Sequence, residues 1–176
     1  MTPRAITIRL AEQRDAQTIA MMSRDFIEAG LGWKYDAPRV MRAIRDRETL
    51  AAVACESGKS AAARGTVTGF AIMEFGEERA HLVLLAVRPS HRRLGIGQKL
   101  LEWVLESARV AGIASVHLEL RAGNEAARRF YRALGFSETI TIPRYYGGSE
   151  AALRMIRMLR VGAATAPAWE PPAHWR

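Results

Sequence analysis

The 176-residue chain has one cysteine, Cys55, and only three lysines among its 26 basic side chains. A lone cysteine excludes an intramolecular disulfide. With no histidine or second cysteine near it in sequence, it does not suggest a metal site either. Cys55 lies in an apolar stretch, residues 50–55, and is expected to be an inert core residue. Long apolar runs are also absent, since none approaches the roughly 18 residues of a membrane span. The opening Met1-Thr-Pro-Arg-Ala5 lacks the apolar core of a secretory signal. A cytoplasmic protein with no membrane partner is therefore expected. The formal charge is +8, but the arginines are spread along the whole chain. No aromatic-basic stripe or helix-turn-helix spacing accompanies them, which argues against nucleic acid and for anionic ligands in general.

Internal repeats are missing too, and the length suits one well-filled core better than two. Apolar residues make up 49% of the chain and charged ones 25%, ordinary for a globular protein. Residues 5–10 alternate as a strand. Ile19, Met22, Phe26 and Ile27 share one stripe of a helix over 15–29 that Gly30 ends. Asp36 caps a second helix, with Pro38 in its first turn, to about Arg47. Residues 50–56 and 67–75 read as strands, and the latter turns through Gly76 into a third at 81–87. A helix, a strand at 115–121 and a helix from Asn124 to Gly135 follow. Residues 136–142 and 153–159 close the pattern as a hairpin around Tyr145-Tyr-Gly-Gly148. The order β-α-α-β-β-β-α-β-α-β-β predicts an α/β single domain over 1–160, a mixed sheet with helices packed on it. The crossover makes the strands at 81–87 and 115–121 parallel. An Ala/Pro-rich tail, 161–176, is expected to be flexible.

Against these absences stands a specific loop. Residues 87–98 read Val-Arg-Pro-Ser-His-Arg-Arg-Leu-Gly-Ile-Gly-Gln and join the continuous apolar strand to an amphipathic helix. That helix carries Leu100, Leu101, Val104, Leu105 and Ala108 on one face. Gly95 and Gly97 let the backbone turn tightly and approach a ligand. The amides that open the helix point at that spot, and the helix dipole favours an anion there. Arg88, His91, Arg92 and Arg93 add positive charge, so a diphosphate fits. A nucleotide-hydrolysing P-loop fits poorly, because Gln98-Lys99-Leu100 replaces its Lys-Ser/Thr pair. A dinucleotide-binding turn needs a third glycine where Leu100 stands, although Glu119 falls near the place of its ribose-binding acid. A plain strand-turn-helix with solvated charges is the bland alternative.

A second constellation lies downstream. In residues 115–121, Val116, Leu118 and Leu120 face one way and His117, Glu119 and Arg121 the other. A polar face on a central strand either lines a cleft or is simply solvated. Tyr131, one position beyond Phe130 on the next helix, is by itself equally a core residue with a satisfied hydroxyl.

Taken together, Arg92-x-x-Gly95-x-Gly97, Leu118-Glu-Leu-Arg121 and Asn124-Glu-Ala-Ala-Arg-Arg-Phe-Tyr-Arg-Ala-Leu-Gly-Phe136 resemble the GNAT superfamily of N-acetyltransferases. Within it they resemble the ribosomal-protein N-terminal acetyltransferases of the RimI type, as does Arg144-Tyr-Tyr146. The resemblance implies the acyl-CoA N-acyltransferase fold and acetyl-CoA as co-substrate, with no metal. It places the diphosphate on Arg92, Arg93, Leu94, Gly95, Ile96, Gly97 and Gln98. The pantetheine arm would run beside Leu85, Ala86 and Val87, with Asn124 and Tyr131 also at the cofactor. Glu119 would be general base and Tyr131 general acid, and Trp33, Tyr35, Tyr145 and Tyr146 would border the acceptor. The implied activity is direct transfer of acetyl to a primary amine, foremost a protein or peptide N-terminal α-amine. Small amines such as polyamines, amino acids or aminoglycosides are the alternative acceptors. A non-catalytic CoA-binding or nucleic-acid-binding protein is the third reading, and the expected state is monomer or homodimer.

Overall fold

The computed structural model describes residues 5–57 and 65–160; the expected tail at 161–176 lies outside them. The chain runs β1 (Ile6–Leu10), α1 (Ala16–Phe26), α2 (Ala37–Arg45), β2 (Thr49–Glu56), β3 (Thr66–Phe75) and β4 (Arg79–Val87). It continues with α3 (Ile96–Val110), β5 (Ser115–Arg121), α4 (Glu125–Ala133), β6 (Ser137–Tyr146) and β7 (Glu150–Met158). This is the expected α/β order. The seven strands form one mixed sheet, β1-β2-β3-β4-β5-β7-β6. Among the described residues, no helix is long and apolar enough to cross a membrane.

Strand alternation sorts the core into two clusters. Ala52, Ala71, Met73, Leu82, Val116, Leu118 and Leu120 face the stripe Leu100, Leu101, Val104, Leu105 and Ala108 of α3 and the Tyr131 side of α4. Val53, Phe70, Ile72, Leu84 and Ala86 face Ile19, Ala20 and Met22 of α1 and Val40 of α2. Asp36 caps α2 as expected, its carboxylate accepting from the Arg39 amide at 2.9 Å. Asn124 caps α4, its Oδ1 accepting from the Ala127 amide at 3.1 Å.

Two expectations need correction. Helix α1 ends at Phe26, not near Gly30. The amides of Ile27 and Glu28 both turn onto the Ser23 carbonyl, and the buried Glu28 carboxylate draws in the next loop. It accepts from Ser23 Oγ at 2.9 Å and from the Lys34 amide at 2.7 Å. The second correction concerns Tyr145 and Tyr146, which lie inside β6 and not in the connecting loop; Gly147, Gly148 and Ser149 make the turn. The long strand holds them because it bulges. Ile142 pairs with Ala152 and Tyr146 with Glu150, so Pro143, Arg144 and Tyr145 stand opposite Ala151 alone. Pro143 has no N–H to donate, and Arg144 takes a positive φ of 55°.

A smaller bulge positions the site. Ile72 pairs with Leu84 and Met73 with Leu82, leaving Val83 without a partner on β3. Such an extra residue bends its strand. Parallel pairing of β4 with β5 runs only from Arg79↔Ser115 to His81↔His117. Beyond that point the two strands part.

Candidate active site

Where β4 and β5 part, a cavity of about 270 Å³ opens through the sheet. Leu82–Leu85 of β4 and Leu118–Arg121 of β5 form its two walls. Asn124, Ala127 and Tyr131 of α4 close one end; Phe26, Ile27, Ala29 and Tyr146 close the other. Among the described residues, no strand pairs with residues 82–87 on the β5 side. That edge is free to bond an extended ligand as a strand would.

The Gly95 loop lies beyond the far end of β4. Gly95 has a φ of 76° and sits at the N-cap of α3, a conformation that suits glycine. The Lys99 amide is the first to bond back, to Gly95 O at 3.0 Å, so the amides of Ile96, Gly97 and Gln98 open the helix. A Cβ on Gly97 would lie 3.4 Å from the Phe130 ring and 3.6 Å from Val87, so the backbone passes close to both.

The basic residues around the loop divide. Arg88 is turned back onto β3, bonding Val67 O at 2.7 Å, and His91 faces Glu56 at 3.6 Å. Arg92 bonds Val87 O at 3.1 Å and lies over the Phe26 ring at 5.9 Å. Arg93 lines a second cavity of about 490 Å³, with Gln98 and with Ala126, Arg129 and Phe130 of α4. Helix α4 therefore walls both cavities, a basic one at its outer end and the one between the strands that holds Glu119. Leu94 is exposed and Ile96 buried.

Glu119 stands in the inner cavity with its side chain only 4% exposed. Arg154 Nε donates to Oε1 at 2.7 Å, and His81 Nε2 lies 2.6 Å from Oε2. Burial alone would raise the carboxyl, but the contacts from His81 and Arg154 outweigh it and hold the group below its ordinary range. The result is a carboxylate tethered at both oxygens. Each oxygen keeps a further lone pair for a substrate proton or a water. Tyr131 approaches from the opposite face. Its ring packs edge-on against Phe130 and Phe136 at 5.1 and 5.5 Å, and burial pushes its phenol far above the ordinary value. It stays protonated as a donor.

The expected acceptor residues fall into two groups. Tyr146 lines the cavity, and Tyr145 packs against it with ring centroids 4.9 Å apart. The bulge at Pro143 and Arg144 brings these neighbours together, where regular alternation would separate them. Burial and the nearby Glu119 charge push the Tyr145 phenol up to about 12. Trp33 and Tyr35 lie in the loop between α1 and α2, outside the cavity lining. Trp33 Nε1 donates to Tyr35 O at 3.1 Å, and the Arg39 guanidinium covers the Tyr35 ring at 4.4 Å. Arg121 joins these parts, bonding Glu150 at 3.0 Å and the Ala29 carbonyl at 2.5 Å.

Sequence reasoning missed His81, Arg154 and Glu28. His81 passed as the first residue of an apolar strand and Arg154 as part of the closing hairpin. Their link to Glu119 needs the register Glu119↔Arg154 and His81↔His117, which periodicity along one strand does not supply.

A sheet opened between its fourth and fifth strands, with a glycine loop at one end of the gap, defines a class of acyl-transferring proteins. Consistent with that, the acetyltransferase (GNAT) family model matches residues 17–136, and the chain belongs to that family. It is 37% identical over 94 residues to the ribosomal protein bS18-alanine N-acetyltransferase of Escherichia coli K12. That match spans 52% of this chain and 64% of the relative. The E. coli ribosomal-protein-S18-alanine N-acetyltransferase structure superposes with a TM-score of 0.73 at 26% identity, covering 92% of this chain and 99% of that one. Ard1 from Thermoplasma volcanium gives 0.75 at 28% identity, covering 89% and 99%. Arabidopsis thaliana NAA60 in complex with acetyl-CoA shares the fold, with a TM-score of 0.77, 16% identity and coverage of 88% and 99%.

Proposed function

We propose that the protein is an acetyl-CoA-dependent N-acetyltransferase acting on a protein or peptide N-terminal α-amine. The observation that carries this is the meeting of Glu119 and Tyr131 in one cavity from opposite faces of the parted sheet. The residues present fit the donor. The opening amides of α3 suit a diphosphate, the free edge at 82–87 suits an extended arm, and Gly97 leaves no side chain in the way. When bound, acetyl-CoA supplies the acetyl group as a thioester.

Glu119 holds the incoming ammonium by its remaining lone pairs and passes the proton to water. With acetyl-CoA bound, the neutral nitrogen would form the C–N bond as the C–S bond breaks. Its second proton would leave to water, and Tyr131 would give its O–H proton to the thiolate and regain one from solvent. A carboxylate held this low is a weak proton store, which favours an acceptor that loses its proton readily. An α-amine titrates near about 8 and a lysine near about 10.4. The E. coli relative acts on an alanine N-terminus by its name, and the same acceptor class is assigned here.

The test is thiol release from acetyl-CoA with free-N-terminus peptides, N-terminally blocked lysine peptides, spermidine and aminoglycosides. Release with the first set alone is expected; release only with small amines would overturn the acceptor. Glu119→Gln and Tyr131→Phe should each lower turnover about a hundredfold. Turnover within a few-fold of wild type in both would overturn the acid-base assignment.

A further inference from the structure

Glu119 is held at both oxygens, by groups of different kinds. Arg154 on β7 is a permanent cation at 2.7 Å, and His81 on β4 is a titratable one at 2.6 Å. The His81 side chain is 11% exposed and that of Arg154 10%, so solvent screens the cluster weakly. A contact of 2.6 Å between nitrogen and a carboxylate oxygen requires a proton between them. With Glu119 ionised, that proton belongs to Nε2, and the imidazole is either neutral or an imidazolium.

Other charged and titratable groups surround the pair. Glu74 is the register partner of His81 on β3, and His117 is its partner on β5. Arg79 lies two residues back on β4, and the Tyr145 phenol from β6 feels both Glu119 and Arg154. Tyr35 of the loop between α1 and α2 faces Glu74 and Tyr145. Burial first, then Arg79, keeps His117 neutral down to about 4. Within the Glu119–Arg154–His81 contact set, the carboxylate and guanidinium charges cancel. A proton on His81 therefore adds one positive charge beside Glu119.

We propose that His81 is the positioning residue for Glu119 and that its charge gates the acceptor. The neutral imidazole donates Nε2–H to Oε2 and leaves the cluster able to take an ammonium; the imidazolium repels it. This rests on the reading that Glu119 meets the amine. Histidine is the side chain whose charge changes nearest neutrality, so the gate is read from a pH profile. His81 does not line the cavity and acts through Glu119.

The experiment compares kcat and KM against pH for an alanine-initiated hexapeptide with the wild type and His81→Gln. Glutamine keeps an N–H donor for Oε2 but carries no charge. In the wild type, KM for the peptide should rise about tenfold or more towards the acid end of the profile, as His81 gains its proton. In His81→Gln that rise should vanish, whatever its absolute rate. A second measurement uses the acceptor-free wild type. The ¹⁵N imidazole signals of His81 should change over the same interval as KM. Persistence of the rise in His81→Gln would overturn the gate, as would a His81 that keeps one charge state across it. Wild-type turnover in Glu119→Gln would overturn the base assignment instead, so the two failures are separable.

Discussion

His117 and Glu119 share one face of β5, yet their environments act on them in different ways. Glu119 has two partners that keep it charged, whereas His117 is dominated by burial and is lowered from 6.5 to about 4. A histidine whose folded value is depressed disfavours the native state wherever the unfolded chain is protonated and the folded one is not. Stability should therefore fall as pH drops from about 6.5 to about 4 and level off below, by at most about 3 kcal/mol. His117→Gln keeps a polar group beside Ser115 Oγ and removes that slope. Urea midpoints for both proteins across this range are the check; parallel curves would show that His117 is not the source. Carboxylates held low, such as Asp15 and Glu119, lose their contribution as pH falls through their ordinary range and below it. At this scale the sequence was half legible. Alternation put Glu119 and His117 on one face, but only the pairing of three strands shows what each one meets.

At the scale of elements, the caps were readable because each is a local rule. Asp36 and Asn124 sit where a short polar side chain can reach an amide three residues on. Helix α1 was misjudged because its end is set by Glu28, whose partners lie across a loop. The β6 bulge was missed because a mismatch of three residues against one has no signature in either strand alone. Asn124 allows a test at this scale, since it both caps α4 and lines the cavity. Its Oδ1 is committed to the cap, which leaves the amide N–H groups for a ligand. Asn124→Asp keeps the cap and loses the donor, so its Tm should match wild type while acetyl-CoA affinity by calorimetry falls about tenfold. Asn124→Ala should lose both, at about 1 kcal/mol of stability and roughly 2–4 °C in Tm. Wild-type affinity in Asn124→Asp would make Asn124 a cap and nothing more.

The molecule as a whole is two apolar clusters on opposite faces of one sheet, with a passage between them at the parted strands. Residues proposed for the donor approach from the α3 and α4 side, and those proposed for the acceptor from the loop after α1 and the β6 bulge. Both substrates can then occupy the passage together, and the acyl group has no need of a covalent stop on the protein. The one cysteine could not provide that stop. Cys55 is buried in the cluster under α1 and α2, on a strand separated from β4 by β3, and burial raises its thiol. A thiol so placed is a poor nucleophile. Initial rates with acetyl-CoA and an alanine-initiated peptide, varied together, should give intersecting double-reciprocal lines. Cys55→Ala should keep kcat within about twofold, as expected of a buried thiol outside the reaction. Protein incubated with acetyl-labelled CoA and no acceptor should carry no label after denaturation. Parallel lines with retained label would mean an acyl-enzyme, and the passage through the sheet would then serve the two substrates in turn.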